Sequence, residues 1–371
     1  MNRTSLRRVA APSVVAIALG MGLSACGAAN ETDASADTSN ASSDTLSGTL
    51  NGAGASSQEA AMAAWQAGFQ IAHPDVTVNY DPIGSGGGRE QFIAGGTAFA
   101  GSDAYLDDEE GELSAAAERC GTDPIEVPDY VSPIAVIFNV DGVEDLQLSG
   151  ETLAGIFAGS ITTWDDPSIA ADNPDVELPD TTITAVHRAD DSGTTDNFTA
   201  YLEAAAPSVW THGEVGEWPL QHGEAAQGTS GVVSAVRNGS NSIGYADASQ
   251  AGDLGVASVK VGEQYVGPTA GAAAKVLEVS PRVADRSEVD LAFELARDTA
   301  ESGAYPIVLA SYLIACQTYA DQQTADLVKG FLTYVVGAQG QVAAAESAGS
   351  APLPDALREK ALGIIETISA R

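Results

Sequence analysis

The amino-acid sequence predicts an α/β chain, and three observations predict it. Strand-like and helix-like runs alternate from residue 46 to the C-terminus. Two continuous apolar runs, Tyr130–Val140 and Ala304–Ala315, have the character of strands buried on both faces. Short Gly- and Ser-rich turns repeatedly join a strand to the helix that follows it.

Taken in order, Leu46–Asn51 reads as a strand. Gly52-Ala53-Gly54-Ala55-Ser56-Ser57 leads from it into a helix over about 58–72, with Met62, Trp65 and Phe69 on one face. Ser56 and Ser57 stand where helix caps belong. Alone they read as caps; the alternative is an anion cradle, with glycines permitting close backbone approach. Val76–Tyr80 alternates as a strand, Gly84-Ser85-Gly86-Gly87-Gly88 turns, and a short helix is expected over about 89–94. That turn matches neither the dinucleotide fingerprint nor the P-loop. Phe99–Asp103 reads as a strand ending in an acid, and Asp107–Glu118 as a solvated, helix-prone face.

After the apolar run 130–140 come a helix-like stretch, Ser149–Ala158, and the segment Thr163-Trp164-Asp165-Asp166-Pro167. Thr181–Val186 is strand-like and Asp196–Ala206 helix-like. Between them runs Val186-His187-Arg188-Ala189-Asp190-Asp191-Ser192-Gly193-Thr194-Thr195, around which the chain is organised. A strand-to-helix turn of this kind presents free backbone N–H groups and hydroxyls to an anion. Arg188 adds a planar, permanently charged fork suited to oxyanions. Further on, Gly223–Asn238 suggests a Gly-rich turn and helix, Ser242–Tyr245 a strand, Ser287–Ala300 a helix, and 321–336 and 354–369 closing helices.

The 371 residues suffice for two domains after processing. The formal charge is −35, and without Arg3, Arg7 and Arg8 it becomes −38. So acidic a surface excludes nucleic acid as a partner and repels anionic lipid. It also repels an anionic ligand at long range, so an anion site here has to hold its ligand by short-range dipoles and hydrogen bonds.

Residues 1–25 read as a secretory signal: Arg3, Arg7 and Arg8 precede an apolar run, Val9–Leu19, too short to span a bilayer. Leu23-Ser24-Ala25-Cys26 resembles the bacterial lipobox, in which the Cys becomes the lipidated first residue. Residues 26–45 are small, polar and acidic, and read as a lipid-anchored tether reaching about 60 Å at most. Cys120 and Cys316 remain. In an exported protein they form a disulfide or stay as two separate buried thiols, and the disulfide is the expectation.

Bond-breaking constellations fare poorly. Asp191-Ser192-Gly193-Thr194 spells an aspartic-protease motif, but such enzymes need two carboxylates sharing a proton and the sequence offers no second copy. No G-x-S-x-G elbow occurs. His73, His187, His212 and His222 match no zinc spacing. No catalytic residue, metal or cofactor is therefore expected.

Taken together the pieces are specific. Gly52-Ala53-Gly54-Ala55-Ser56, Ile83-Gly84-Ser85-Gly86-Gly87, Gly101-Ser102-Asp103-Ala104, Trp164-Asp165-Asp166 and Arg188-Ala189-Asp190-Asp191-Ser192-Gly193-Thr194 occur in this order, followed by Trp218-Pro219-Leu220 and Ser242-Ile243-Gly244-Tyr245. Over about residues 46–369 the chain resembles the phosphate-binding proteins of bacterial ABC phosphate importers. Its lipobox and Cys pair look similar to actinobacterial members. The resemblance implies a two-lobed periplasmic-binding-protein fold of type II, each lobe a mixed β-sheet flanked by helices, with the ligand in the interlobe cleft. Lobe I would comprise 46–134 and 306–371, lobe II 135–305, with hinges near 131–135 and 305–307.

The same resemblance implies the ligand set. Ser56 would donate its hydroxyl, Ser57 its backbone N–H, and Ser85 would donate from the second turn. Asp103 would accept from a protonated phosphate oxygen. Arg188 would pair with phosphate, supported by Asp190, while Ser192, Gly193 and Thr194 would donate from a helix start. Two departures stand out: Ser56-Ser57 where the family commonly has Thr-Phe, and Asp191 where it commonly has Gly. The implied function is that of an extracytoplasmic, lipid-anchored monomer. It would bind inorganic phosphate and deliver it to a membrane permease driven by cytoplasmic ATPase subunits. The alternatives are a binding protein for another tetrahedral oxyanion such as sulfate or molybdate, a secreted phosphate-handling enzyme, or a sensor or adhesin lipoprotein.

Overall fold

The computed structural model describes residues 46–108 and 111–371. The expected signal segment, the tether and Cys26 lie outside these residues.

The first part of the chain builds two strand–helix–strand units. β1 (Gly48–Gly54) leads to α1 (Glu59–Ala72), β2 (Val76–Asp81), α2 (Ser85–Ile93) and β3 (Phe99–Ser102). β1 lies between β2 and β3 and is parallel to both. α1 buries Met62, Trp65 and Phe69, the face its spacing requires. α2 starts at Ser85 rather than near residue 89, so the glycine run is itself helical. Glycine costs about 1 kcal/mol in a helix, but here it permits contact. A Cβ on Gly88 would lie 2.4 Å from the Gly54 Cα of β1.

α3 (Glu112–Cys120) precedes β4 (Ile125–Asn139), fifteen residues long and buried along nearly its whole length. β4 has two successive partners. Ile125–Pro133 pair antiparallel with β12, and Ile134–Asn139 pair antiparallel with β8. Where the partner changes, Ile134 donates its N–H to Ile307 O at 2.7 Å, and Tyr305 donates its hydroxyl to Ile134 O at 2.8 Å.

Beyond β4 come β5 (Gln147–Leu148), α4 (Gly150–Phe157, capped by Ser149) and α5 (Pro167–Asp172, capped by Asp166). β6 (Thr184–Arg188), α6 (Gly193–Ala205), β7 (Glu224–Ala226), α7 (Gly228–Asn238) and β8 (Ser242–Asp247) follow. β6 is parallel to β7 on one side and β8 on the other. β9 (Gly255–Val256) adds to β4, while β10 (Ser258–Val261) and β11 (Gln264–Val266) join β5 in a small sheet. α8 (Ala270–Val279) precedes β12 (Val308–Ala315), which returns between β3 and β4. The strand order is thus β2-β1-β3-β12-β4-β8-β6-β7. α9 (Gln322–Val336), α10 (Ala338–Ala348) and α11 (Asp355–Ile365) close the chain, with Trp65 of α1 bonded to Gly340 O at 2.8 Å.

The helix expected over 287–300 does not form. Tertiary hydrogen bonds hold the segment extended instead. Leu291 N–H donates to Glu126 O at 2.8 Å, Glu126 N–H to Val289 O at 3.2 Å, and Phe293 N–H to the Tyr312 hydroxyl at 3.0 Å. Cys120 and Cys316 form the expected disulfide, closing a sequence separation of 196 between the end of α3 and the residue after β12.

Candidate functional site

Four strand-to-helix turns deliver side chains to one buried locus. In the first, neither serine caps α1; the cap position is Gln58, which makes no side-chain cap bond. Ser57 instead donates its hydroxyl to both oxygens of Asp103, at 2.7 and 2.8 Å. Ser56 Oγ accepts from Thr229 N–H at 3.1 Å and lies 3.0 Å from Thr229 Oγ1. The second turn ends at Gly84, which opens α2 at a φ of +99°, and Ser85 Oγ accepts from Asp103 N–H at 3.1 Å.

Asp103, just past β3, is the hub. Besides Ser57 its carboxylate accepts from Ser311 Oγ of β12 and from Thr194 Oγ1 at 3.2 Å. Asn197 Nδ2 binds its carbonyl at 2.8 Å. Burial raises its pKa, opposed by the Ser311 and Ser57 hydroxyls, the charge of Arg188 and the Thr194 hydroxyl.

The third turn follows β6. Arg188 is 2% exposed and grips Asp190 with two parallel bonds, Nε to Oδ1 at 2.8 Å and Nη2 to Oδ2. Gly228 N–H also donates to Asp190, at 3.1 Å. Tyr245, stacked on Phe198 with ring centroids 4.3 Å apart, accepts from Arg188 N–H at 3.3 Å and pairs with Thr195 Oγ1 at 2.7 Å. Ser192 caps α6 by accepting from Thr195 N–H. A Cβ on Gly193 would lie 2.6 Å from both Asp103 Cβ and Ser85 Oγ, so α6 and α2 begin against one another.

The structure therefore brings Ser56, Ser57, Ser85, Asp103, Arg188, Ser192, Gly193 and Thr194 together with Asp190, all buried or nearly so. It adds Thr229, Ser311, Asn197 and Tyr245, which the sequence reading did not single out. Thr229 belongs to a fourth strand–Gly–helix turn, Ala226-Gln227-Gly228-Thr229, so its signal was the same as that of the other three.

A family model for the PBP superfamily domain matches residues 39–339. Phosphate-binding protein PstS 3 of Mycobacterium tuberculosis is 37% identical over 378 aligned residues, covering 98% of this chain and 100% of the relative. The chain belongs to the phosphate-binding protein family. PstS 2 of the same organism is 34% identical, over 86% of this chain and 87% of its own. Among solved structures, a high-affinity periplasmic phosphate-binding protein bound with phosphate superposes with a TM-score of 0.69. It is 25% identical and matches 84% of this chain and 92% of that one. The architecture is accordingly the periplasmic-binding-protein fold, and these relatives are named as phosphate-binding proteins rather than enzymes.

The two departures from the common family pattern can now be placed. Ser57 directs its hydroxyl at Asp103, which thereby gains a donor that the expected aromatic residue would not supply. Asp191, at a common glycine position, turns toward Arg89, with 3.8 Å between Asp191 Oδ2 and Arg89 Nη2, and keeps a 39% exposed side chain. Gly86 makes room for it: a Cβ on Gly86 would fall 1.7 Å from that carboxylate.

Proposed function

We propose that this protein binds inorganic phosphate at the Asp103–Arg188 locus, outside the cytoplasm, and hands it to the membrane permease of an ABC importer. The observation that carries the reading is a buried carboxylate, Asp103, that is not clasped by Arg188 as Asp190 is but is set among hydroxyls within its field. Phosphate keeps a proton near neutral pH and can donate it to Asp103, whereas sulfate offers only bare oxygens to the same carboxylate. Burying that unmatched contact costs several kcal/mol, on the order expected for a desolvated charged group. Ser56, Ser57 N–H, Ser85, Arg188, Ser192, Gly193 and Thr194 replace the ion's water, each charge-assisted bond contributing about 1.5–3 kcal/mol.

In this reading the locus lies between a lobe of 46–134 and 306–371 and a lobe of 135–305, which close by bending where β4 exchanges partners. Cys26 carries the lipid, residues 26–45 tether a monomeric body to the membrane, and cytoplasmic ATPase subunits drive the permease. No described helix is long and apolar enough to cross a membrane. The ligand is bound and released unchanged, without a cofactor.

Isothermal titration with phosphate, sulfate and molybdate across pH 5–8 tests the reading. Phosphate is expected to bind at least a hundredfold more tightly than sulfate. Equal affinities, or a preference for molybdate, would overturn it. Loss of phosphate uptake on deletion, restored by the intact chain, tests the transport step, and a phosphatase assay tests the enzymatic alternative.

A further inference from the structure

We propose that Thr229 is a ligand-positioning residue, which works as a pair with Ser56 to direct one hydroxyl hydrogen at the bound oxyanion. The proposal rests on the phosphate reading above and assigns a residue to it from a fourth turn.

The two residues are 173 positions apart and almost wholly buried, Ser56 after β1 and Thr229 at the start of α7. Ser56 Oγ accepts the Thr229 amide hydrogen at 3.1 Å. The two hydroxyl oxygens are 3.0 Å apart, and either can donate to the other. A hydroxyl has one hydrogen and two lone pairs. The pair therefore holds two hydrogens and uses one between its members. Whichever oxygen donates, one hydrogen remains; when Thr229 donates, Ser56 Oγ accepts twice and only one direction is left for its own hydrogen. The hydrogen bonds at Asp103 and Asp190 come from Ser57, Ser311, Thr194, Arg188 and Gly228 and not from this pair, and we assign the remaining hydrogen to the bound oxyanion.

The same turn acts on the cationic partner. Gly228, at a φ of +67° that favours glycine, donates its N–H to Asp190, the carboxylate that grips Arg188. Two consecutive amides thus set Asp190 and Ser56. Because Ser56 and Thr229 come from opposite ends of the strand order, the hydrogen is aimed only when the two turns meet.

Thr229→Val keeps the amide and the side-chain volume and removes only the hydroxyl. In the full chain, titrated with inorganic phosphate, its dissociation constant is expected to rise about ten- to a hundredfold. Thr229→Ser should recover wild-type affinity to within about threefold. Ser56→Ala combined with Thr229→Val should be scarcely weaker than Ser56→Ala alone, because either change already destroys the pair in which each hydroxyl orients the other. A Thr229→Val affinity within twofold of wild type, multiplying effects in the double variant, or no rescue by serine would each overturn the proposal. So would a lowered Tm with an unchanged dissociation constant, the outcome of a purely structural contact. Wild-type protein that ignores phosphate would instead overturn the reading of the site itself.

Discussion

The turns after β1, β2 and β3 and those after β6 and β7 meet at one place but treat charge differently. On the first side an acid, Asp103, is held by hydroxyls from Ser57, Ser311 and Thr194. On the second a guanidinium, Arg188, is already clasped by Asp190, whose remaining capacity is taken partly by Gly228 N–H. The three charges sum to minus one. The site therefore does not attract an anion by net charge, in keeping with a chain whose formal charge is −35. In the proposed function the contrast assigns selectivity to the acid, Asp103, and spreads affinity over neutral dipoles already fixed by the fold.

The largest expected effect comes from breaking the second side. Arg188→Ala should abolish measurable phosphate binding and destabilise the fold by about 3–5 kcal/mol, because Asp190 is left buried and unpaired. Arg188→Met with Asp190→Leu should restore the melting temperature without restoring binding. If the double variant binds, the guanidinium is not a ligand. Next comes the first side. Asp103→Asn should lower the phosphate-to-sulfate affinity ratio by about a hundredfold or more, as expected when a buried charged acceptor is removed. An unchanged ratio in calorimetry would remove Asp103 from its role.

A stability comparison is sharper than either, because buried acids occur on both sides. Burial raises Asp103, Asp129 and Glu126 on the first, while Asp247 rises to about 6 and Asp196 to about 7 on the second. Each folded pKa lies above its unfolded value. The folded chain therefore binds more protons than the unfolded one between about pH 4 and 7, and stability falls as pH rises through that window. Asp172, lowered chiefly by hydrogen bonds from Ser149, Thr152 and Tyr265 that outweigh its burial, works in the opposite sense but is outnumbered. Melting temperature in the absence of phosphate should peak near pH 4–5. Asp129→Asn, which removes a wholly buried carboxyl that faces the charge of Asp103, should raise it at pH 7 more than Asp247→Asn, whose carboxylate accepts from Tyr130 and Ser249. A melting temperature that climbs from pH 4 to 7 would refute this account.

The smallest effect belongs to Ser57→Ala. Removing one donor raises the Asp103 pKa further, so the acid limb of phosphate binding should move to higher pH, with affinity at neutral pH falling about tenfold or less. A limb that stays in place would mean that Ser57 contributes packing alone.

Much of this was legible in the sequence because glycine, serine and acid residues at strand ends advertise turns that α/β folds use for ligands. What was not legible had particular causes. Ser311 sits inside an apolar strand, and only the β3–β12 pairing places it beside Asp103. Thr229 carries the same strand–Gly–helix signal as the other turns, but nothing in the sequence places it against Ser56. The helix-like spacing of 287–300 lost to hydrogen bonds with β4 and Tyr312, partners remote in sequence. α8 and α10 are alanine-rich, and neither is legible in the sequence because alanine marks no face strongly. Asp191 stands out in the sequence only as a departure, because its counter-ion, Arg89, lies about a hundred residues away in the chain.

The bare α-carbon at Gly193 offers a way to separate capture from delivery. A methyl group there would crowd Asp103 and Ser85 as they stand in this structure. If the lobes close as proposed above, Gly193→Ala would act as a doorstop, and the rivalry of such a variant with intact copies would reveal whether uptake depends on the shut form or any form.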